Sequence, residues 1–286
     1  MLLYCCFSVL TMDPLLLISL LLTAVVIGLL SSMVGIGGNS LFIPILVIFL
    51  GLDIHIAIAT MIFSSFFIGV SSSIVYFKNK AVDFKLALLM EAGTIPGAFL
   101  APQLSVLIST TFLTYIFVAA MLIIAGYMGW SNHSKNNFTY CNRQNQNTIL
   151  KKYLWVREYN YKGEKTTALV NIPLILIVSF IIGLIVGLIG VAGGTMKVPF
   201  LNLVCGIPMI IAVGTAFLMI IFTAVSATAG YAFYGLISFS LAVPIIIGLI
   251  VGSQIGTRLA LNLPQRKLKI IFSTVLVVIS IMMIIT

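Results

Sequence analysis

Two ionisable side chains, Lys197 and Glu91, stand inside otherwise apolar stretches of this 286-residue sequence. A charged group in an apolar, lipid-like environment is costly unless it is paired or solvated, so such residues by default indicate a functional site. Lys197 could balance the charge of an anion, and Glu91 could pair with Lys197 or take up and release a proton. The alternatives are that Lys197 snorkels to an interface and that Glu91 lies at the end of its helix.

Lys197 belongs to residues 190–199, which read GVAGGTMKVP and have a twin in residues 35–44, which read GIGGNSLFIP. Glycine loosens a helix and proline removes a backbone donor, so each segment interrupts the apolar run around it. In lipid such a break is tolerated only where protein or a watery cavity covers the freed backbone groups. Two matching breaks predict a transport site where they meet.

Small polar residues in and near the breaks extend this candidate site, because hydroxyls and helix-start N–H groups can donate hydrogen bonds to an anion. The predicted substrate-binding residues are Gly35, Gly37, Gly38, Asn39, Ser40, Thr60, Gly190, Gly193, Gly194, Thr195, Lys197 and Thr215. Glu91 is the proton-coupling candidate. Helix–helix packing is the alternative role for Thr60 and Thr215. The four cysteines and two histidines have no metal-ligand spacing, so neither a metal nor another cofactor is expected.

The composition indicates an all-α, polytopic transmembrane helical bundle. Apolar residues make up 61% of the chain and charged residues only 7%, which is too few charges to solvate a soluble surface of this size. Apolar runs long enough to cross a lipid bilayer recur along the whole chain. The net charge of +9 does not indicate nucleic acid, because the positive residues lie in short connecting segments, as expected at a membrane face.

The second half of the sequence repeats the first at a shift of 155 residues. Residues that match under this shift include glycine, proline, threonine and tyrosine, which apolar composition alone does not explain. Gly28, Gly35, Gly38, Pro44, Gly51, Thr60, Ser71 and Tyr76 fall on Gly183, Gly190, Gly193, Pro199, Gly206, Thr215, Ser226 and Tyr231. We therefore predict a first transmembrane repeat at 1–130, a cytoplasmic linker loop at 131–167 and a second transmembrane repeat at 168–286.

The positions of the Lys and Arg residues favour two inverted repeats. If each broken segment crosses the membrane, each half crosses five times and the second half is inverted. Both termini then lie outside, and every Lys and Arg except Lys197 lies inside, as the positive-inside rule requires. The alternative is eight spans with two re-entrant segments.

The doubled pattern GIGGNSLFIPIL and GVAGGTMKVPFL, with VDFKLALLMEAGTIPGAFLA after the first copy, resembles the sulfite exporter TauE/SafE family. The resemblance covers nearly the whole chain outside 131–167. It implies a secondary transporter that exports sulfite, sulfoacetate or a related small organic anion across a bacterial inner (plasma) membrane. The first copy departs from the second in having Asn39 where the second has Gly194.

Two other classes of function stay open at this stage. A membrane scaffold or assembly subunit would carry the same spans without a permeation path. An intramembrane enzyme would need a nucleophile–base pair or a metal cluster inside the spans, and no catalytic residue is predicted. The expected partners are a small anionic substrate and the lipid bilayer, and a homo-oligomer is compatible with the sequence.

Overall fold

The computed structural model describes residues 14–105, 154–161, 164–190 and 193–264, with isolated positions between 109 and 126 and between 266 and 277. The predicted spans at 111–130 and after residue 269 therefore lie largely outside the described residues. In the first half the helices are α1 (Pro14–Val34), α2 (Asn39–Leu50), α3 (Ile54–Lys78) and α4 (Phe84–Ser105).

The second half begins with a two-stranded antiparallel hairpin and continues as helices. Strands β1 (Leu154–Tyr161) and β2 (Glu164–Asn171) precede α5 (Ile172–Ile189), α6 (Gly194–Pro199) with a π-helical turn (Phe200–Val204), α7 (Met209–Ala232) and α8 (Phe239–Asn262). Within the described residues, α1, α3, α4, α5, α7 and α8 are long and apolar enough to cross a membrane. The predicted class, a multi-pass helical membrane protein, is confirmed.

Backbone conformation explains why the helices stop at the breaks. Gly35, Gly37 and Gly38 have φ values of 88°, 82° and 83°, and Gly190 has a φ of 72°. These left-handed conformations strain any residue with a Cβ atom, so glycine ends α1 and α5 at equivalent places. A short helix, α2 or α6, starts directly after each break.

Helix packing repeats under the same shift as the sequence. Helix α1 packs along α8, and the equivalent pair, α5 and α4, packs in the same way, while α3 lies against its own equivalent, α7. Small residues allow the close approach: a Cβ atom at Gly93 would lie 2.6 Å from the carbonyl oxygen of Leu176. Gly28 and its match Gly183 are also positions where two helices meet. A Cβ atom at Gly28 would lie 2.8 Å from the carbonyl oxygen of Leu249, and one at Gly183 would overlap that of Thr94.

Two hydrogen bonds of buried tyrosines recur in the same way. The Tyr76 hydroxyl donates to the carbonyl oxygen of Ser32 at 3.0 Å, and the Tyr231 hydroxyl donates to that of Gly187 at 2.8 Å. Both the donors and the acceptors are 155 residues apart. Each bond joins the third helix of its half, α3 or α7, to the last turn of the first helix, α1 or α5. The third helix is thereby held close to the glycine break that follows the first helix.

The hairpin is a feature that the sequence analysis does not predict, because it lies within and just beyond the region assigned to a linker loop. It docks on Asp83, which is only 4% exposed. Arg157 donates two hydrogen bonds to the Asp83 carboxylate, from Nη2 at 2.6 Å and from Nε at 2.9 Å, and the Tyr159 hydroxyl donates a third at 2.7 Å. Such a bidentate, charge-assisted contact fixes both position and orientation.

The docking also affects the ionisation of the two hairpin residues. Burial raises the pKa of the Tyr159 hydroxyl, and its hydrogen bond to the Asp83 carboxylate raises it further. Partial burial by itself would lower the pKa of Arg157, but hydrogen bonding and attraction to Asp83 outweigh this and raise it. Tyr159 therefore stays neutral and Arg157 stays charged at physiological pH, which are the forms that the contact requires.

Candidate functional site

The two glycine breaks are in direct contact. The Asn39 side-chain Nδ2 donates to the carbonyl oxygen of Gly190 at 3.0 Å, so the first break satisfies a backbone acceptor of the second. A Cβ atom at Gly194 would overlap the carbonyl oxygen of Gly35, and a Cβ atom at Gly35 would lie 2.9 Å from Val198. The breaks therefore meet backbone to backbone, as the sequence predicts, and only glycine allows this approach.

Lys197 and Glu91 form an ion pair that is sealed inside the bundle. The Nζ atom of Lys197 lies 2.5 Å from Oε1 of Glu91, and the two side chains are 0% and 1% exposed. Lys197 therefore does not snorkel to an interface, and Glu91 does not sit at an exposed helix end. Within the described part of the chain, Lys197 is the one buried cation.

Thr223 on α7 completes this cluster and is a residue that the sequence analysis missed. Its Oγ1 accepts a hydrogen bond from Lys197 Nζ at 2.7 Å and lies 3.0 Å and 3.1 Å from the two Glu91 carboxylate oxygens. The carbonyl oxygen of Met219 is a further acceptor at 3.0 Å. A hydroxyl has one hydrogen, so it can serve either Glu91 or Met219 at a given moment.

A small cavity connects this cluster to the breaks. Asn39 of the first break, Gly193 of the second break and Thr223 of the cluster line it, and Ser65 of α3 and apolar side chains from α3, α5 and α7 complete its wall. It has room for about one water molecule. The Lys197 side chain folds back over Gly193. A Cβ atom added at Gly193 would lie 3.0 Å from Cε and 3.2 Å from Nζ of Lys197. The ammonium group is thus close to the cavity.

Two polar atoms of the first break are buried without a hydrogen bond among the described residues, Oδ1 of Asn39 and Oγ of Ser40. Leaving a buried polar atom unpaired costs about 1–3 kcal/mol. Their residues are fully buried, so bulk water does not compensate for this cost. A ligand that enters between the breaks could accept a hydrogen bond from Oγ of Ser40, whereas only a ligand with a hydrogen to donate could bond to Oδ1 of Asn39.

Thr60 and Thr215 have other partners. Oγ1 of Thr60 accepts a hydrogen bond from the backbone N–H of Ser238 at 3.0 Å, and Oγ1 of Thr215 accepts one from that of Asp83 at 2.9 Å. Both donors lie in loops of the opposite half of the chain. These contacts favour the packing role that the sequence left as the alternative for the two threonines.

The remaining predicted residues lie in the breaks themselves. Gly37 and Gly38 form the left-handed turn before α2, and Thr195 is buried in α6, two residues before Lys197. The structure therefore brings Asn39, Gly193 and Lys197 together with Glu91 and Thr223. The sequence signal for Thr223 is weak, because one hydroxyl in an apolar helix is equally well explained by helix packing.

The helices and the sealed ion pair define a multi-pass membrane protein with a polar site inside the bundle. The chain belongs to the sulfite exporter TauE/SafE family, whose family model matches residues 20–283. The resemblance inferred from the doubled glycine pattern is thereby confirmed.

Curated relatives match over most of their length. The chain is 24% identical to "Probable membrane transporter protein YunE" of Bacillus subtilis over 91% of this chain and 94% of that protein. It is 22% identical to "Probable membrane transporter protein YdhB" of the same organism, over 87% and 93% of the two chains. A "Probable membrane transporter protein" of Xylella fastidiosa is 25% identical over 84% of each chain. No solved structure matches the chain significantly.

Proposed function

We propose that this protein is a secondary transporter that exports a small anion such as sulfite, sulfoacetate or a related organic anion across a bacterial inner membrane. The observation that carries the proposal is the fully buried Lys197–Glu91 pair next to the cavity between the two glycine breaks. The family description and the names of the relatives support the transporter class.

Lys197 supplies the charge that an anion needs inside the bundle. An anion that leaves water loses its hydration, and a buried ammonium group offsets this cost better than neutral donors do. The Ser40 hydroxyl can add a hydrogen bond, because it has no partner among the described residues. The glycines of the breaks let backbone approach the anion without a side chain between them.

The cavity must widen before an anion larger than water can enter it. Transporters with paired broken helices achieve this by moving one repeat or bundle against the other around a fixed site. In this protein the breaks touch through Asn39, Gly35, Gly190 and Gly194, so relative movement of the two halves would open the space between them.

Transport by the purified protein tests the proposed function. In proteoliposomes with a set pH gradient, we expect flux of sulfite, sulfoacetate or a related small anion above that of protein-free liposomes. Lys85→Met is the matched control for variants of Lys197, because Lys85 is an exposed lysine at the start of α4 and should tolerate the change. If no anion in a panel of sulfur oxyanions and carboxylates is moved, the protein is a scaffold or assembly subunit.

The finer topology is part of the same proposal: two inverted repeats of five crossings each, rather than eight spans with two re-entrant segments. The support is the placement of Lys and Arg in the connecting segments and the recurrence of helix contacts and tyrosine bonds at a shift of 155 residues. A contact of α3 with α7, each the equivalent of the other, is what a two-fold relation between the halves would produce.

Cysteine labelling from outside the cell tests this topology. In a background without the four native cysteines, an impermeant maleimide should label a cysteine at Ser109 but not one at Gln146, because residue 109 lies outside and residue 146 inside. Labelling of both after the membrane is permeabilised is the control for reactivity. Labelling at position 146 in intact cells would contradict the inverted arrangement.

A further inference from the structure

The cluster at the end of the cavity carries no net charge when substrate is absent. One cation, Lys197, and one carboxylate, Glu91, are sealed together, and Thr223 bridges them without adding a charge. A low-dielectric site strongly disfavours uncompensated charge. An anion that binds to Lys197 therefore cannot enter without a second change, because Lys197 and Glu91 already neutralise each other.

Protonation of Glu91 is the change that restores neutrality. A proton from water converts the Glu91 carboxylate into the neutral acid, and the positive charge of Lys197 is then free for the anion. Thr223 allows the exchange, because its hydrogen can turn from Glu91 to the carbonyl oxygen of Met219 and stay bonded. The new O–H bond of Glu91 forms as one O–H bond of a hydronium ion breaks, a water molecule leaves, and otherwise only hydrogen bonds change.

Among the described helices that pack on the helix of Glu91, the titratable groups supply one proton site. Helix α4 packs against α5 and α7. The sequence of α5 has no titratable side chain, and that of α7 has only Tyr231, whose hydroxyl donates to the carbonyl oxygen of Gly187. Lys197 of α6 must keep its proton to hold the anion. A dianion would need a second proton, for which these elements offer no acceptor.

We infer that the site takes one small monovalent oxyanion together with one proton, which Glu91 carries, so that transport moves no net charge. This inference rests on the proposed function and specifies its substrate class: hydrogen sulfite or a monovalent sulfonate, rather than a dianion. In each half-cycle the empty site and the loaded site both have a net charge of zero. The membrane potential then neither drives nor opposes the movement of the anion.

Charge movement in proteoliposomes tests the inference, with sulfite as the probe. At equal pH on both sides, the potential is clamped with potassium and valinomycin, and the current and sulfite flux are recorded together. Wild-type protein should give sulfite flux with no transport current, with uptake of protons in the same direction. The ratio of internal to external sulfite should not change with the clamped potential.

Replacing Glu91 by glutamine should convert this electroneutral flux into one that carries an electric current. Glutamine imitates the protonated acid but cannot release a proton, so the empty site keeps the positive charge of Lys197 and each cycle moves one elementary charge. The sulfite ratio should then change about tenfold for each 59 mV of potential, and each sulfite should be accompanied by one proton fewer than in the wild type. A residue with only a structural role would reduce flux without creating a current.

Two controls define the outcome. Protein-free liposomes measure the leak of dissolved sulfur dioxide, and Glu158→Gln, an exposed glutamate on β1, should stay electrically silent. Wild-type flux that carries a current would overturn this inference alone, as would a Glu91→Gln variant that moves as many protons per sulfite as the wild type. Absence of wild-type flux above the leak, for sulfite and for every other anion of the panel, would overturn the proposed function and this inference with it.

Discussion

Replacing Lys197 by methionine is expected to lower the apparent affinity for the transported anion by on the order of 100-fold. Removing one partner of a buried, hydrogen-bonded charge pair costs about 2–5 kcal/mol, and about 1.4 kcal/mol corresponds to a factor of ten. Methionine keeps most of the side-chain volume, so the loss of affinity would measure the contribution of the ammonium group and not the effect of a new cavity. The measurement is the concentration dependence of anion flux in proteoliposomes, with Lys85→Met beside it.

A double variant separates the role of Lys197 in transport from its role in stability. Lys197→Met alone leaves the Glu91 carboxylate buried without its cation, which is expected to destabilise the protein by about 3–5 kcal/mol or to force Glu91 to take up a proton. Adding Glu91→Gln removes that charge and should restore much of the resistance to thermal unfolding in detergent.

Transport should stay lost in the double variant, because no buried cation remains to hold the anion. A single variant that transports with unchanged affinity would show that Lys197 has only a structural role. Anion binding would then rest on hydroxyl and backbone donors such as those of the first break. Recovery of both stability and transport in the double variant would also show that the role of Lys197 is structural.

Replacing Gly194 by alanine is expected to prevent the two breaks from closing. The added Cβ atom would overlap the carbonyl oxygen of Gly35, which is backbone and cannot rotate away as a flexible side chain can. Overpacking of this kind costs about 1–3 kcal/mol or more. We expect a lower yield of monodisperse protein, a lower unfolding temperature and loss of anion flux.

Two other glycines are matched controls for this variant. Gly126→Ala makes the same change at a helical position where no described residue has an atom within 4 Å of the added atom, so it should behave like the wild type. At Gly193 the three atoms nearest to the added atom all belong to the flexible end of Lys197, so Gly193→Ala should cost less stability but still disturb the ammonium group. Equal stability of Gly194→Ala and Gly126→Ala would mean that the breaks are not in contact.

Local features of the sequence predicted the class of protein and the positions of its breaks. An apolar run long enough to cross a bilayer, a glycine at a left-handed turn and a lysine among apolar residues are each visible within a few residues of chain. Gly35 and Gly190 end their helices as predicted, and the Lys197–Glu91 pair is formed. The inverted topology and the substrate stay predictions.

Contacts between distant parts of the chain decided the rest. Thr223 lies 132 residues from Glu91, and Arg157 lies 74 residues from Asp83, so neither contact leaves a trace in local sequence. Thr60 and Thr215 were candidates for binding an anion because hydroxyls suit that role. Only the tertiary structure shows that each hydroxyl oxygen accepts a hydrogen bond from a backbone N–H of a distant loop. The sequence by itself determined where polar groups enter an apolar chain, since that depends on residue type. Tertiary structure decided which of those groups satisfy one another and which stay unpaired beside the cavity, because hydrogen bonding depends on distance in space.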